Sequence, residues 1–85
     1  MNQAIQFPDS EEWNAQRLAV CFPVLVNGMR LTCAIKGESL ALRFGGETPA
    51  QWLAAFSAHR WDLEDEAEQQ IRAQQEDDQG WVWLS

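Results

Sequence analysis

Residues 18–36 read LAVCFPVLVNGMRLTCAIK, two apolar runs that meet at Asn27-Gly28. Asn-Gly is the strongest short-range signal for a two-residue hairpin, because both central residues of that tight turn need positive φ. With Val26 opposite Met29, side-chain alternation gathers Leu18, Val20, Phe22, Val24, Val26, Met29, Leu31, Cys33 and Ile35 on one face. Nothing polar interrupts that face. The other face carries Ala19, Cys21, Pro23, Leu25, Arg30, Thr32, Ala34 and Lys36, a mixed surface able to meet water or a partner. Strands are therefore expected at 18–26 and 29–36.

Pro23 has a place in this ladder. Pairs 26:29 and 24:31 exchange hydrogen bonds, so residue 23 points its nitrogen away from its hairpin partner, and a missing N–H is harmless if that side is open. The first strand, 18–26, is therefore expected to be an edge, at least around Pro23, with the second more central. The same register sets Cys21 opposite Ala34 and Cys33 opposite Phe22, with the sulfurs on opposite faces and out of bonding geometry. Both are expected as free thiols.

Working outward, Ile5-Gln6-Phe7 alternates before Pro8-Asp9 and suits a short leading strand over 5–7. Residues 10–17 read as a loop containing a turn. Residues 38–44 fit either periodicity. Glu38 and Ser39 near a start, Arg43 in a last turn and Gly45 as a left-handed stop favour a short helix. Thr48 as a cap, Pro49 at the first helical position and Gln51 three residues after the cap open a long helix, expected over 49–74. On that helix Trp52, Leu53, His59, Arg60, Leu63, Ala67, Gln70 and Ile71 lie within about 60° of Phe56 and form one stripe. Trp81-Val82-Trp83-Leu84 has no polar position and reads as a strand, 81–84, joining the sheet beside 29–36. The fold class is α+β: a small antiparallel sheet packed on one long and one short helix, in a single domain spanning 1–85.

The 85 residues carry a formal charge of −7, unevenly spread. Residues 1–48 hold four cations against five carboxylates; residues 49–85 hold two against eight. Such a field repels phosphate backbones and anionic membrane surfaces, so nucleic acid is a disfavoured partner and a membrane is not expected. No stretch approaches the roughly 20 apolar residues of a membrane span, and no secretion signal is recognisable, so a cytoplasmic location is expected.

Catalytic residues are scarce: there is no Tyr and one His, and no glycine-rich phosphate loop or nucleophile elbow is present. No enzyme activity, cofactor or metal is expected. His59 with Asp62 and Glu66 has ligand-like spacing, but Asp62 lies off the stripe and a half-buried His bonding a neighbour is the favoured reading. Arg60 falls inside the apolar stripe and implies either an ion pair anchoring the helix or a ligand contact. Trp61 is about 140° from the stripe centre, so either the short helix or the N-terminal loop covers it, or it is an exposed anchor for a protein partner or second copy. Trp61, Arg60, Trp83 and Pro23 are thus the candidate interaction surface.

Phe7-Pro8-Asp9, Val26-Asn27-Gly28-Met29, Leu31-Thr32-Cys33-Ala34-Ile35, Gln51-Trp52-Leu53, His59-Arg60-Trp61-Asp62-Leu63-Glu64 and 77–84 (DDQGWVWL) together resemble the YrdB-like family of short bacterial proteins, a domain of unknown function. The likeness spans essentially the whole chain. It implies a bacterial cytosolic α+β domain and brings no catalytic residue. The function expected is a non-enzymatic protein-interaction module. The alternatives are a regulator of gene expression contacting nucleic acid through Arg17, Arg30, Lys36 and Arg43, or a small-molecule-binding domain.

Overall fold

The computed structural model describes residues 4–84. Strand β1 (Ile5–Gln6) and strand β2 (Glu12–Asn14) lead into the hairpin of β3 (Ala19–Val26) and β4 (Met29–Lys36). Helices α1 (Gly37–Phe44), α2 (Pro49–Ala58) and α3 (Arg60–Arg72) follow, and β5 (Trp81–Leu84) ends the described chain.

The hairpin has the register its turn dictates, from Val26 opposite Met29 to Ala19 opposite Lys36. Asn27 and Gly28 adopt φ of 54° and 83°, the two positive values a type I′ turn requires. Asn27 also holds β1 in place: its Oδ1 accepts the Ala4 N–H at 3.0 Å, and its own N–H donates to the Ala4 carbonyl at 2.8 Å.

Around this hairpin four features depart from the sequence expectation. First, β3 is not an edge. Gln6 and Ile5 pair with Leu25 and Val26, and β2 pairs with residues 19–21 on the same side. Only the stretch around Pro23 lies between these two partners, so the missing N–H faces a gap in the ladder and the edge argument holds there alone. Residues 10–17, expected as a loop, contain β2, because Trp13 finds a place opposite Val20 over the core.

Second, the sheet is mixed rather than antiparallel: β5 runs parallel to β4, with Thr32 beside Trp81 and Ile35 beside Leu84. The chain between them crosses over through the helices, the connection a parallel neighbour needs.

Third, the long helix is broken. His59 leaves helical geometry at φ −114° and ψ 23°, dividing 49–74 into α2 and α3, and α3 stops at Arg72. Neither Gly nor Pro marks the place. His59 instead lies flat on Phe44, ring centroids 4.0 Å apart and 7° from parallel, a tertiary contact that overrides local helix preference. The start of α2 is as expected. Thr48 Oγ1 accepts the Gln51 N–H, while the Gln51 side chain reaches back one residue further than a standard capping box, to the Glu47 N–H at 2.6 Å.

Fourth, the two ends of the apolar face are solvated. Leu18 turns out at φ 54° and is 64% exposed; Met29, at the hairpin tip, is 67% exposed. A positive φ costs a residue with a Cβ about 1–2 kcal/mol.

Between those ends the core is continuous. Val20, Phe22, Val24, Cys33 and Ile35 meet Leu40 of α1, Phe56 of α2, Leu63, Ala67 and Ile71 of α3, and Val82 and Leu84 of β5. The Phe22 and Phe56 rings lie 4.7 Å apart at its centre, a pairing favourable beyond simple burial. On the opposite face Ala19, Cys21 and Ala34 form a second buried cluster beneath Trp81 and Trp83. Part of the face expected to meet water is therefore closed by two indoles. Cys21 and Cys33 are both buried free thiols.

Candidate interaction surface

The α2–α3 junction collects the charged residue that the stripe left unexplained. Arg60 donates to the Glu11 carboxylate, lies 3.0 Å from Asp9 and 3.6 Å from Glu64, and passes over the Phe56 ring at 5.2 Å. Ser57 Oγ donates to the other Glu11 oxygen at 2.8 Å. The Arg60 side chain is 18% exposed, so the guanidinium is sheltered and its Nη1 is buried without a hydrogen-bond partner.

The carboxylates around it respond in opposite directions. The Arg60 hydrogen bond holds the Glu11 carboxyl below its ordinary range, against the cost of burial. Burial pushes the Glu64 carboxyl up, and the more distant Arg60 charge only partly offsets it. Burial is the largest single influence on Arg60 and works against its charge, yet the Glu11 hydrogen bond together with the charges of Glu11, Asp9 and Glu64 outweighs it and raises the group. Arg60 is thus committed to Glu11, with Asp9 nearer than Glu64 among its remaining partners.

One residue further on, Trp61 is 85% exposed. The short helix and the N-terminal loop do not cover it; the loop stops at Arg60. Trp61 stands beside a shallow concavity lined also by Ser57, Ala58, His59 and Asp62. His59 is stacked on Phe44, and among the described residues no group of His, Cys, Asp or Glu is placed to hold a metal ion.

Trp83 and Pro23 lie elsewhere, on the other side of the sheet. Pro23, Thr32 and Trp81 form one row across β3, β4 and β5; Cys21, Ala34 and Trp83 form the next. Trp81 and Trp83 stack at 5.5 Å, and the Arg17 guanidinium lies 4.7 Å from the Trp81 ring. Asp77 secures this pair. Its Oδ1 accepts the Gln79 and Trp81 N–H groups at 2.9 Å, and its Oδ2 accepts the Trp83 indole N–H at 3.3 Å. These bonds, the Trp81 one foremost, hold the Asp77 carboxyl below its usual range. The four candidate residues therefore divide into two surfaces, Arg60 with Trp61 and Pro23 with Trp83.

Sequence reading missed Glu11, Ser57 and Asp77 as organisers. Asp77 left a signal, since an Asp two residues before a turn position is a recurrent Asx arrangement. Glu11 left none, because its partner is 49 residues away.

Among the described residues the fold is a five-stranded mixed sheet with three helices on one face, and no helix is long and apolar enough to cross a membrane. Residues 5–84 match the family described as protein of unknown function (DUF1488), and the chain belongs to that family. It is 73% identical over 84 residues to the uncharacterized protein YrdB of Escherichia coli (strain K12), covering 99% of both chains. The YrdB of Shigella flexneri is 71% identical with the same coverage. A crystal structure of a DUF1488 protein of unknown function from Shewanella loihica PV-4 shares 30% identity and a TM-score of 0.89, with 99% of this chain and 94% of that one covered.

Proposed function

We propose that this chain is a cytosolic, non-catalytic protein-interaction module whose contact surface centres on Trp61. The observation that carries the reading is an 85% exposed tryptophan on a helix start fixed by its neighbour. Tryptophan is enriched among the few residues that supply most of the energy of protein interfaces, and a rigid support lowers the ordering cost of binding. Covering such a side chain removes about 150–250 Å² from water, a gross gain of about 4–6 kcal/mol.

Nucleic acid is the weaker alternative. Two of the four cations it would use are already engaged, Arg43 with Glu66 at 2.5 Å and Arg17 with Gln79 at 3.2 Å. Affinity for a phosphate backbone rests on such cations being available.

The test is affinity capture from lysate combined with sedimentation velocity, on wild type and Trp61→Ala. The expected result is a retained protein or a second copy that Trp61→Ala loses while keeping the wild-type melt. A strict monomer with nothing retained, or a Trp61→Ala chain that retains everything, overturns the reading.

A further inference from the structure

A cleft of about 570 Å³ opens between β2, the residues leading into β3, and helices α1 and α2. It is walled by β2, α1 and α2, and its volume falls within the range of small-molecule sites. Its apolar walls come from Trp13 and Trp52, whose rings are 5.4 Å apart, and from Ala41 and the 64% exposed Leu18. An exposed leucine facing two half-buried indoles is apolar surface left in contact with water inside a concavity, where an apolar body gains most from displacing it.

The rim has the opposite sign to the protein. Arg17 and Lys36 line it against the single carboxylate of Glu38, a local excess of positive charge on a chain of net −7. Lys36 is exposed and enters none of the ion pairs among the described residues. An adjoining concavity shares Arg17, Lys36 and Glu38, so the cationic rim is open on both sides.

We propose that this cleft binds a small amphipathic organic anion, with an aromatic or branched apolar body against Trp13, Trp52 and Leu18 and its carboxylate or sulfonate at Lys36, while Arg17, already bonded to Gln79, adds only the field of its charge to the rim. The site is separate from the Trp61 surface and stands or falls independently of it. Charge complementarity selects the anion: a neutral apolar ligand would leave the local cationic excess unused, and a cation would meet it as repulsion.

The probe is 8-anilinonaphthalene-1-sulfonate, compared with the neutral N-phenyl-1-naphthylamine. Both are titrated into the full ¹⁵N-labelled chain while the five tryptophan indole N–H signals are followed. The anion is expected to shift the Trp13 and Trp52 signals saturably and to bind more tightly than the neutral probe. Lys36→Gln should weaken the anion by about two- to fivefold without affecting the neutral probe, the loss expected for one exposed charge contact. Ala41→Phe fills the cleft and should abolish the shifts. Should that variant fail to fold, Leu18→Ala removes one wall at an exposed position and should weaken both probes. Shifts confined to Trp61, Trp81 or Trp83 overturn the proposal, as does equal binding of the neutral probe. So does a dimer, detected by sedimentation at the same concentration, that the probe dissociates, since the cleft would then be covered by a second copy.

Discussion

Glu11 and Arg60, 49 residues apart in sequence, share a hydrogen-bonded ion pair that ties the N-terminal loop to the α2–α3 junction. Because Glu11 titrates below its ordinary value of 4.5 in the folded chain, the sign of its pH dependence is fixed. The stabilisation is complete above about pH 4.5, the unfolded value, and is lost as pH falls through the lowered folded value. Glu11→Gln should cost about 1–3 kcal/mol at neutral pH, the range for removing one partner of a sheltered charged pair. Urea denaturation at a series of pH values checks this: the gap to wild type should close in acid, and a gap that stays constant to pH 3 rules the ion pair out as its source.

Glu64 should behave in the reverse sense. Its folded value is raised by burial, so its contribution is fullest below about pH 4.5 and declines as pH rises through the raised folded value. Glu64→Gln removes a poorly solvated charge that lies 3.6 Å from an Arg60 already bonded to Glu11. At neutral pH it should therefore change stability by less than about 1 kcal/mol, neutral or favourable in sign. A loss as large as that of Glu11→Gln in the same denaturation series would show that Arg60 depends equally on both.

The hairpin was legible because Asn27-Gly28 constrains its own backbone, and from that one turn eight pairs follow in register. The start of α2 was legible for the same local reason, Thr48 before Pro49. What sequence reading missed depends on partners distant along the chain. The direction of β5 is decided by the crossover, the helix break at His59 by Phe44, and β2 by the place Trp13 finds over the core. Trp61 was placed off the apolar stripe by periodicity alone, yet its exposure depended on what the N-terminal loop would reach. Periodicity reports a face and says nothing of a concavity between elements, so the cleft at Trp13 and Trp52 left no mark.

Cys33 is fully buried and its thiol is pushed up to about 12 by desolvation, and burial raises the Cys21 thiol as well. The thiolate is the reactive form. In mildly alkaline buffer, Ellman's reagent should leave the native protein almost unlabelled and modify both cysteines once guanidinium chloride unfolds it. Rapid stoichiometric labelling of native protein would contradict the buried positions on both faces of the sheet.

Asp77 is exposed, yet one carboxylate accepts two backbone N–H groups and an indole N–H. Asp77→Ala should lower the melting midpoint and weaken the near-ultraviolet circular dichroism of the stacked Trp81–Trp83 pair. Asp77→Asn keeps an acceptor at Oδ1 and should retain most of that signal. Identical spectra for wild type and Asp77→Ala would mean that packing over Ala19, Cys21 and Ala34 orients the indoles without the turn.

Gly37 supplies a test of the packing beneath the cleft. Alanine is ordinarily better than glycine in a helix by about 1 kcal/mol, and Gly37 has no left-handed backbone to lose. A Cβ there would lie 2.7 Å from two carbons of the Trp52 six-membered ring and 3.0 Å from Trp13. Both rings are held by the core, so they cannot yield without disturbing it, and Gly37→Ala should destabilise by about 1–3 kcal/mol, the cost of overpacking. If the clash is the cause, shrinking the obstacle must relieve it. Gly37→Ala should cost markedly less in a Trp52→Phe background than in wild type, a coupling a double-mutant thermal-denaturation cycle can measure. Additive effects would place the cost in the backbone of α1 and leave the Trp13–Trp52 seat unconstrained by Gly37.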